Sequence, residues 1–188
     1  MPNLYIIGGA NGSGKTTASM SLLPNFLDCF EYVNADAIAA ALSPFNSESV
    51  AITAGRIMLE RLQTLSDSGT DFAFETTLAA RSFATFLRSC KTKNYTINLI
   101  YFWLRSPELA VARVARRVAS GGHSIPEDVI RRRYERGLRN LIALYFPLCD
   151  NWIIYDNSHQ TAQLIAEGGI EQEQIIYNIA IWNQITQR

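Results

Sequence analysis

Read for hydrophobicity alone, the chain alternates short apolar runs with longer stretches whose apolar positions recur every three or four residues. Leu4 to Ile7 is a run short enough for a buried strand, and residues 16–23 continue as a helix ending near Pro24. Residues 31–34 form a short second strand. Between Ser47 and Gly69, the positions Val50, Ala54, Ile57, Met58, Arg61 and Leu65 follow helical spacing, and Gly69 is placed to end that helix. Residues 71–75 are a third strand, 81–91 a helix, and 95–104 a strongly apolar fourth strand. Ser106 and Pro107 suit the cap and first position of a helix over 107–119. A further helix covers 127–146, a fifth strand 151–157 and an edge strand 161–166. The tail over 171–188 reads as a closing amphipathic helix.

Strands joined by helices predict an α/β fold: a mostly parallel sheet, right-handed crossovers and helices on both faces. Ligands of such sheets sit beyond the carboxyl ends of the strands. The chemistry is therefore sought in the loops after strands one, two, three and five.

After strand one stands Gly-Gly-Ala-Asn-Gly-Ser-Gly-Lys-Thr-Thr, which from Gly9 fits G-x-x-x-x-G-K-[ST]. Glycines let the backbone turn tightly and aim successive N–H groups at phosphate oxygens, and the following helix adds the partial charge of its N-terminus. Gly9, Ala10, Asn11, Gly12, Ser13 and Gly14 form this cradle, continued by Lys15, Thr16 and Thr17. Lys15 neutralises the outer phosphates and the Thr16 hydroxyl holds Mg²⁺, so ATP with Mg²⁺ is the expected ligand.

Asp36 lies just past strand two. A carboxylate there can take the proton of an attacking hydroxyl or help hold Mg²⁺; its plainer role is to cap a helix over 37–42. Glu75 ends strand three, where an acid assists magnesium. Thr76 and Thr77 offer hydroxyls to an acceptor, and Arg81 a positive charge; the plainer reading is a threonine cap and a solvated arginine. After strand five, Asn157 is placed to frame the adenine.

Charge changes the picture through its distribution. Lys+Arg and Asp+Glu both number 17, which gives no sign of a nucleic-acid or membrane partner. Yet eight arginines fall between Arg113 and Arg139, facing only Glu127, Asp128 and Glu135. They ride on the two helices spanning about 107–146, joined through Gly121 and Gly122. Such a hairpin suits a lid that closes over a transferring group and supplies guanidinium charge. Arg117, Arg131 and Arg133 are best placed by the periodicity, with Arg132, Arg136 and Arg139 on the far side of the second helix. His123 at the tip is a candidate acceptor contact.

Cys29, Cys90 and Cys149 are scattered, without C-x-x-C spacing, which suits a reducing cytoplasm rather than a disulfide framework or zinc site. No repeat, linker, signal peptide or membrane span is evident, so one domain over 1–188 is expected. The lid favours a small-molecule kinase over an ATP-hydrolysing regulatory NTPase; a switch would need a positioned water and a partner surface, and no N-K-x-D guanine selector stands here. A motor would need an added helical domain, and a nucleic-acid end kinase a continuous basic stripe with aromatics.

The ordered set "GGANGSGKTT", "NADAIA", "FAFETTLAAR", "RVARRVASGGHSIPEDVIRRRYERGLRNL" and "WIIYDNS" resembles the zeta toxin family of P-loop kinases, over roughly 4–158. The resemblance implies ATP/Mg²⁺-dependent phosphorylation of a hydroxyl on a nucleotide sugar such as UDP-N-acetylglucosamine, in a cytoplasmic toxin with a separate antitoxin protein as partner. By position it implies phosphate-loop roles for Lys15 and Thr16, a catalytic base at Asp36, acceptor-loop roles for Glu75 and Thr77, and a lid arginine at Arg117. A second lid arginine of the toxins has no clear match: His123 stands nearby, with Arg131 or Arg133 as substitutes. Leu59 occupies the place of an acceptor-binding acid.

Overall fold

The protein is described from a computed structural model that covers residues 1–122 and 124–187. Seven strands form one sheet in the order β2-β3-β1-β4-β5-β6-β7. The strands are β1 (Asn3–Gly9), β2 (Glu31–Val33), β3 (Phe72–Thr76), β4 (Thr96–Trp103), β5 (Asn151–Asp156), β6 (Gln163–Gly169) and β7 (Ile175–Ile176). The first five run parallel, so their carboxyl ends share one edge. The hop from β5 to β6 is too short for a crossover, and β6 and β7 run antiparallel.

The helices are α1 (Lys15–Phe26), α2 (Ala35–Leu42), α3 (Ala51–Ser68), α4 (Ser82–Thr92), α5 (Pro107–Ala119), α6 (Glu127–Asn140) and α7 (Ile179–Thr186). Period-two alternation in the strands splits the core between the faces of the sheet. Leu4, Ile6, Phe72, Phe74, Leu99 and Tyr101 pack with α3 to α6, whereas Ile7, Ala73, Ile100 and Phe102 meet Leu23 of α1. All three cysteines are buried and free of disulfides. No helix among the described residues is long and apolar enough to cross a membrane.

Four elements depart from the pattern-based expectation, the first being the strand expected at the edge over 161–166, which is β6 and lies between β5 and β7. The tail is not one helix: Ile175 and Ile176 pair with Glu167 and Ala166, and α7 starts only after Asn178, whose side chain accepts from the Ile181 N–H. The apolar trio Ile175, Ile176 and Tyr177 is contiguous rather than helically spaced. The helix expected to reach residue 146 loses regular α geometry after Asn140, passing through a π turn (Leu141–Tyr145) and a 3₁₀ turn (Phe146–Leu148). There the Tyr145 hydroxyl donates to the Ala80 carbonyl at 2.6 Å and Phe146 stacks 4.5 Å from Trp152. Finally, α1 runs through Pro24 and ends at Phe26.

Candidate active site

The phosphate loop joins β1 to α1 at the shared carboxyl edge. Gly9 and Gly14 have φ of 145° and 88°, outside the range comfortable for a side chain. A Cβ at Gly9 would strike the Phe102 carbonyl, and one at Gly14 would lie 2.6 Å from Asn157 Nδ2. Lys15 is only 5 % exposed; its ammonium donates to the Ala10 carbonyl at 2.8 Å and lies 3.6 Å from Glu75 Oε1. Burial pulls the Lys15 pKa down, and the Glu75 and Asp36 carboxylates oppose that pull. Asn11 Oδ1 and Ser13 Oγ are buried without a hydrogen-bond partner among the described residues. A glycine loop with positive-φ backbone, orphaned polar atoms and a desolvated ammonium fits an anionic phosphate ligand.

Glu75 organises the centre of the site. Its Oε2 accepts from the Thr16 hydroxyl at 2.8 Å, the Tyr32 hydroxyl at 2.6 Å and Asn34 Nδ2 at 3.0 Å. Parallel pairing of β2 with β3 sets Tyr32 opposite Ala73 and Val33 opposite Phe74, which brings the polar end of β2 to this carboxylate. Burial first, and then the facing Glu75 charge, push the Tyr32 hydroxyl well above the ordinary tyrosine range. Because Thr16 donates its proton to Glu75, its oxygen lone pairs stay free to face a cation.

Asp36 is not the cap of α2. Asn34 fills that position, its Oδ1 accepting from the Asp36 N–H at 2.8 Å and the Ala37 N–H at 3.3 Å. The Asp36 carboxylate is left exposed in the first turn. The threonines do not cap α4 either, since Arg81 occupies that place without a side-chain hydrogen bond. Thr76 Oγ1 instead accepts from the Leu78 N–H at 3.1 Å and shapes the turn after β3.

Two cavities meet here. One, of about 280 Å³, lies over the phosphate loop at Gly12, Gly14, Thr16 and Thr17, beneath Arg113 and Arg117 of α5. The other, of about 400 Å³, is bounded by Thr76 and Thr77, by Gly55 and Met58 of α3, by Phe83 of α4, and by Arg132, Arg133 and Arg136 of α6. Both are lined by Asn11, Lys15, Asp36 and Glu75. Two ligands could therefore meet at the carboxylates and the ammonium.

The arginine hairpin divides between the cavities in a way the periodicity did not foretell. Arg117 and Arg133 border the site. Arg131 does not: it turns outward, its Nη1 donating to Glu108 at 2.6 Å and its Nε to Glu127 at 2.8 Å. Those two acids draw it to the seam between α5 and α6. Arg132 and Arg136, expected on the far side of α6, line the larger cavity because that helix leans over the loop after β3. The approach is so close that a Cβ on Gly137 would collide with the Thr77 carbonyl. Arg81 is exposed and lines neither cavity. Asn157 donates from Nδ2 to the Ser13 carbonyl at 2.7 Å, which fastens the phosphate loop to the end of β5. His123 lies outside the described residues.

Tyr32, Asn34, Arg113, Arg132 and Arg136 are site residues that sequence reasoning missed. Asn34 carried a usable signal, an Asn between a strand and a helix in cap position. Tyr32 carried none, because nothing local says that a three-residue strand lies beside β3.

Comparison with known proteins follows the same geometry. An uncharacterized protein of Haemophilus influenzae (strain ATCC 51907 / DSM 11121 / KW20 / Rd) is 33% identical over 128 residues, covering 67% of this chain and 88% of that protein. The crystal structure of the AvrRxo1-ORF1:-ORF2 complex with ATP superposes with a TM-score of 0.80 at 16% identity, over 99% of this chain. This chain spans only 64% of the length of that one. A chain of the PezAT toxin–antitoxin system of Streptococcus pneumoniae gives a TM-score of 0.68 at 16% identity, covering 97% of this chain and 78% of that one. At such identities the likenesses establish the fold alone, an α/β P-loop kinase fold. The zeta toxin family model matches residues 1–166, and the chain belongs to the zeta toxin family.

Proposed function

We propose that this protein is an ATP- and Mg²⁺-dependent kinase that phosphorylates a hydroxyl of a small acceptor, a nucleotide sugar such as UDP-N-acetylglucosamine. One observation carries the reading: two cavities, one over a phosphate loop and one without it, meet at Lys15, Asp36 and Glu75. A protein that only hydrolyses ATP has no use for a second arginine-lined cavity of about 400 Å³ adjoining the one over the phosphate loop.

ATP bound on Gly9 to Thr17 supplies the phosphoryl group to be transferred. Among the described residues no three of His, Cys, Asp and Glu cluster as a metal site. Mg²⁺ would thus rest on the Thr16 hydroxyl and the phosphates, with Glu75 behind them. Asp36, exposed and bordering both cavities, accepts the proton of the acceptor hydroxyl as it attacks. Lys15, Arg113 and Arg117 take up the negative charge on the transferring group. Arg132, Arg133 and Arg136 hold the anionic part of the acceptor, and Met58 and Phe83 border its apolar part. Residues 1–188 act as one kinase unit in which α5 and α6 close as a lid and keep water from the phosphoryl group.

Family membership and the likeness to a chain of the PezAT toxin–antitoxin system support a toxin role with a separate antitoxin protein as partner, and a cytoplasmic location is proposed with it. The decisive measurement is ADP formation from ATP and Mg²⁺ across nucleotide sugars, free sugars and nucleosides. Turnover that rises only with a nucleotide sugar bears the proposal out. Equal turnover with and without every acceptor would leave an ATPase.

A further inference from the structure

Two glycines sit inside helices that wall the larger cavity, and only one of them has a packing reason to be glycine. Gly137 of α6 lies against the Thr77 carbonyl, and any side chain there would force the helix off the loop. Gly55, in the second turn of α3, is different. A Cβ built on it meets nothing within 4 Å. Its φ is not among the positive ones, and α3 passes through it without interruption from Ala51 to Ser68. Close approach, a left-handed backbone and a break in the helix are all excluded. Glycine is nevertheless among the poorest residues for a helix interior, because it gives up the most backbone freedom on folding. What remains is the space itself, which is part of the cavity wall beside Met58.

We infer that Gly55 is a specificity-determining position: its missing side chain makes room for a bulky, non-reacting portion of the acceptor. The inference rests on the reading of this cavity as the acceptor site. It goes further in saying which wall position sets the size of the molecule admitted. The reacting groups Lys15, Asp36 and Glu75 line the same cavity, so a side chain at residue 55 takes volume from the acceptor while the phosphate loop stays whole.

The test uses the full chain, wild type, Gly55→Ala and Gly55→Leu. Acceptor-dependent ADP formation is followed with UDP-N-acetylglucosamine and UDP-glucose, ATP affinity is measured without acceptor, and Tm is recorded. Because the site is open and the glycine unfavourable, Gly55→Ala should raise Tm by about 2–4 °C. The acceptor KM should rise a few-fold in Gly55→Ala and about 10- to 100-fold in Gly55→Leu. ATP affinity should stay within about twofold, since the phosphate loop makes no use of α3. A merely structural glycine would behave in the opposite way, with Tm falling and ATP binding weakening alongside KM, and that result overturns the inference. An unchanged acceptor KM in Gly55→Leu overturns it too while leaving the kinase reading intact. If the wild type turns over neither nucleotide sugar, the proposed acceptor falls and the inference with it.

Discussion

Replacing Asp36 by Asn removes proton acceptance while keeping the size of the side chain and its place in the first turn of α2. The change is nearly isosteric and removes one negative charge. Stability should hardly move, because Asn34 and not Asp36 caps α2, through two hydrogen bonds of 2.8 and 3.3 Å that the substitution leaves in place. What is lost is the favourable position of an exposed acid in the first turn of an eight-residue helix, a few tenths of a kcal/mol after solvent screening. An amide cannot take a proton from a hydroxyl, so transfer to the acceptor should fall by about 10²- to 10⁴-fold. ATP affinity should change by no more than about threefold, since the glycine loop, Lys15 and Thr16 set it. The assay is acceptor-dependent ADP formation at saturating ATP, with ATP titration and thermal melting as controls. Transfer near the wild-type rate in a folded Asp36→Asn protein would refute Asp36 as the base. Loss of ATP binding with it would move Asp36 to magnesium and send the search for a base to Glu75.

Lys15→Ala should cut phosphoryl transfer by at least about 10²- to 10³-fold, while the Ala10 carbonyl keeps the Ser13 N–H at 3.1 Å as a donor, so the lost hydrogen bond costs only about 0.5–1.5 kcal/mol in stability. Far-ultraviolet circular dichroism should still show a folded protein, and full transfer activity in it would remove the central claim. Arg131→Ala should leave the acceptor kcat/KM within about twofold, whereas Arg133→Ala should lower it about 10- to 100-fold, because only the second side chain borders the cavities. Equal losses in the two would mean that α6 acts through its fold and not through that one guanidinium. Tyr32→Phe removes one of three donors to Glu75 Oε2 and should raise the Mg²⁺ concentration for half-maximal activity about tenfold. An unchanged Mg²⁺ dependence would take Glu75 out of the magnesium shell.

What the sequence disclosed and what it hid follow one physical line. Several local signals told the truth, among them the glycine spacing around Lys15, the Ser106–Pro107 helix start and the apolar strands, whereas the helix stop at Pro24 and the cap at Asp36 did not hold. The sheet edge that gathers Asp36, Glu75 and the phosphate loop was legible as well, since it depends only on strand–helix alternation. Pairings across the chain were not. Nothing near Tyr32 announces Glu75, 43 positions away. Nothing in the periodicity of α6 announces that Glu108, on another helix, will draw Arg131 outward. Helical spacing says which residues share a face; it does not say whether that face borders a cavity or open water.

The division of the arginines bears on the nature of the acceptor. Lys15, Arg113 and Arg117 border the phosphate cavity, and Arg132, Arg133 and Arg136 the other. Arg132 has a partial counter-charge in Asp128 at 3.6 Å, so Arg133 and Arg136 are the guanidinium groups of the larger cavity that form no ion pair among the described residues. ATP with one Mg²⁺ brings roughly two negative charges, and they lie at the phosphate loop rather than across the cavity. An uncharged sugar would leave Arg133 and Arg136 with no counter-charge when the lid closes and water is expelled, a costly state for guanidinium groups. A diphosphate between a nucleoside and a sugar adds two negative charges on the side where those arginines stand. Planar guanidinium groups also bind phosphate oxygens in pairs, which fixes the acceptor in one orientation. On the proposed reading, the charge of the acceptor would do two things at once: draw α6 down as part of the lid, and hold one hydroxyl within reach of Asp36.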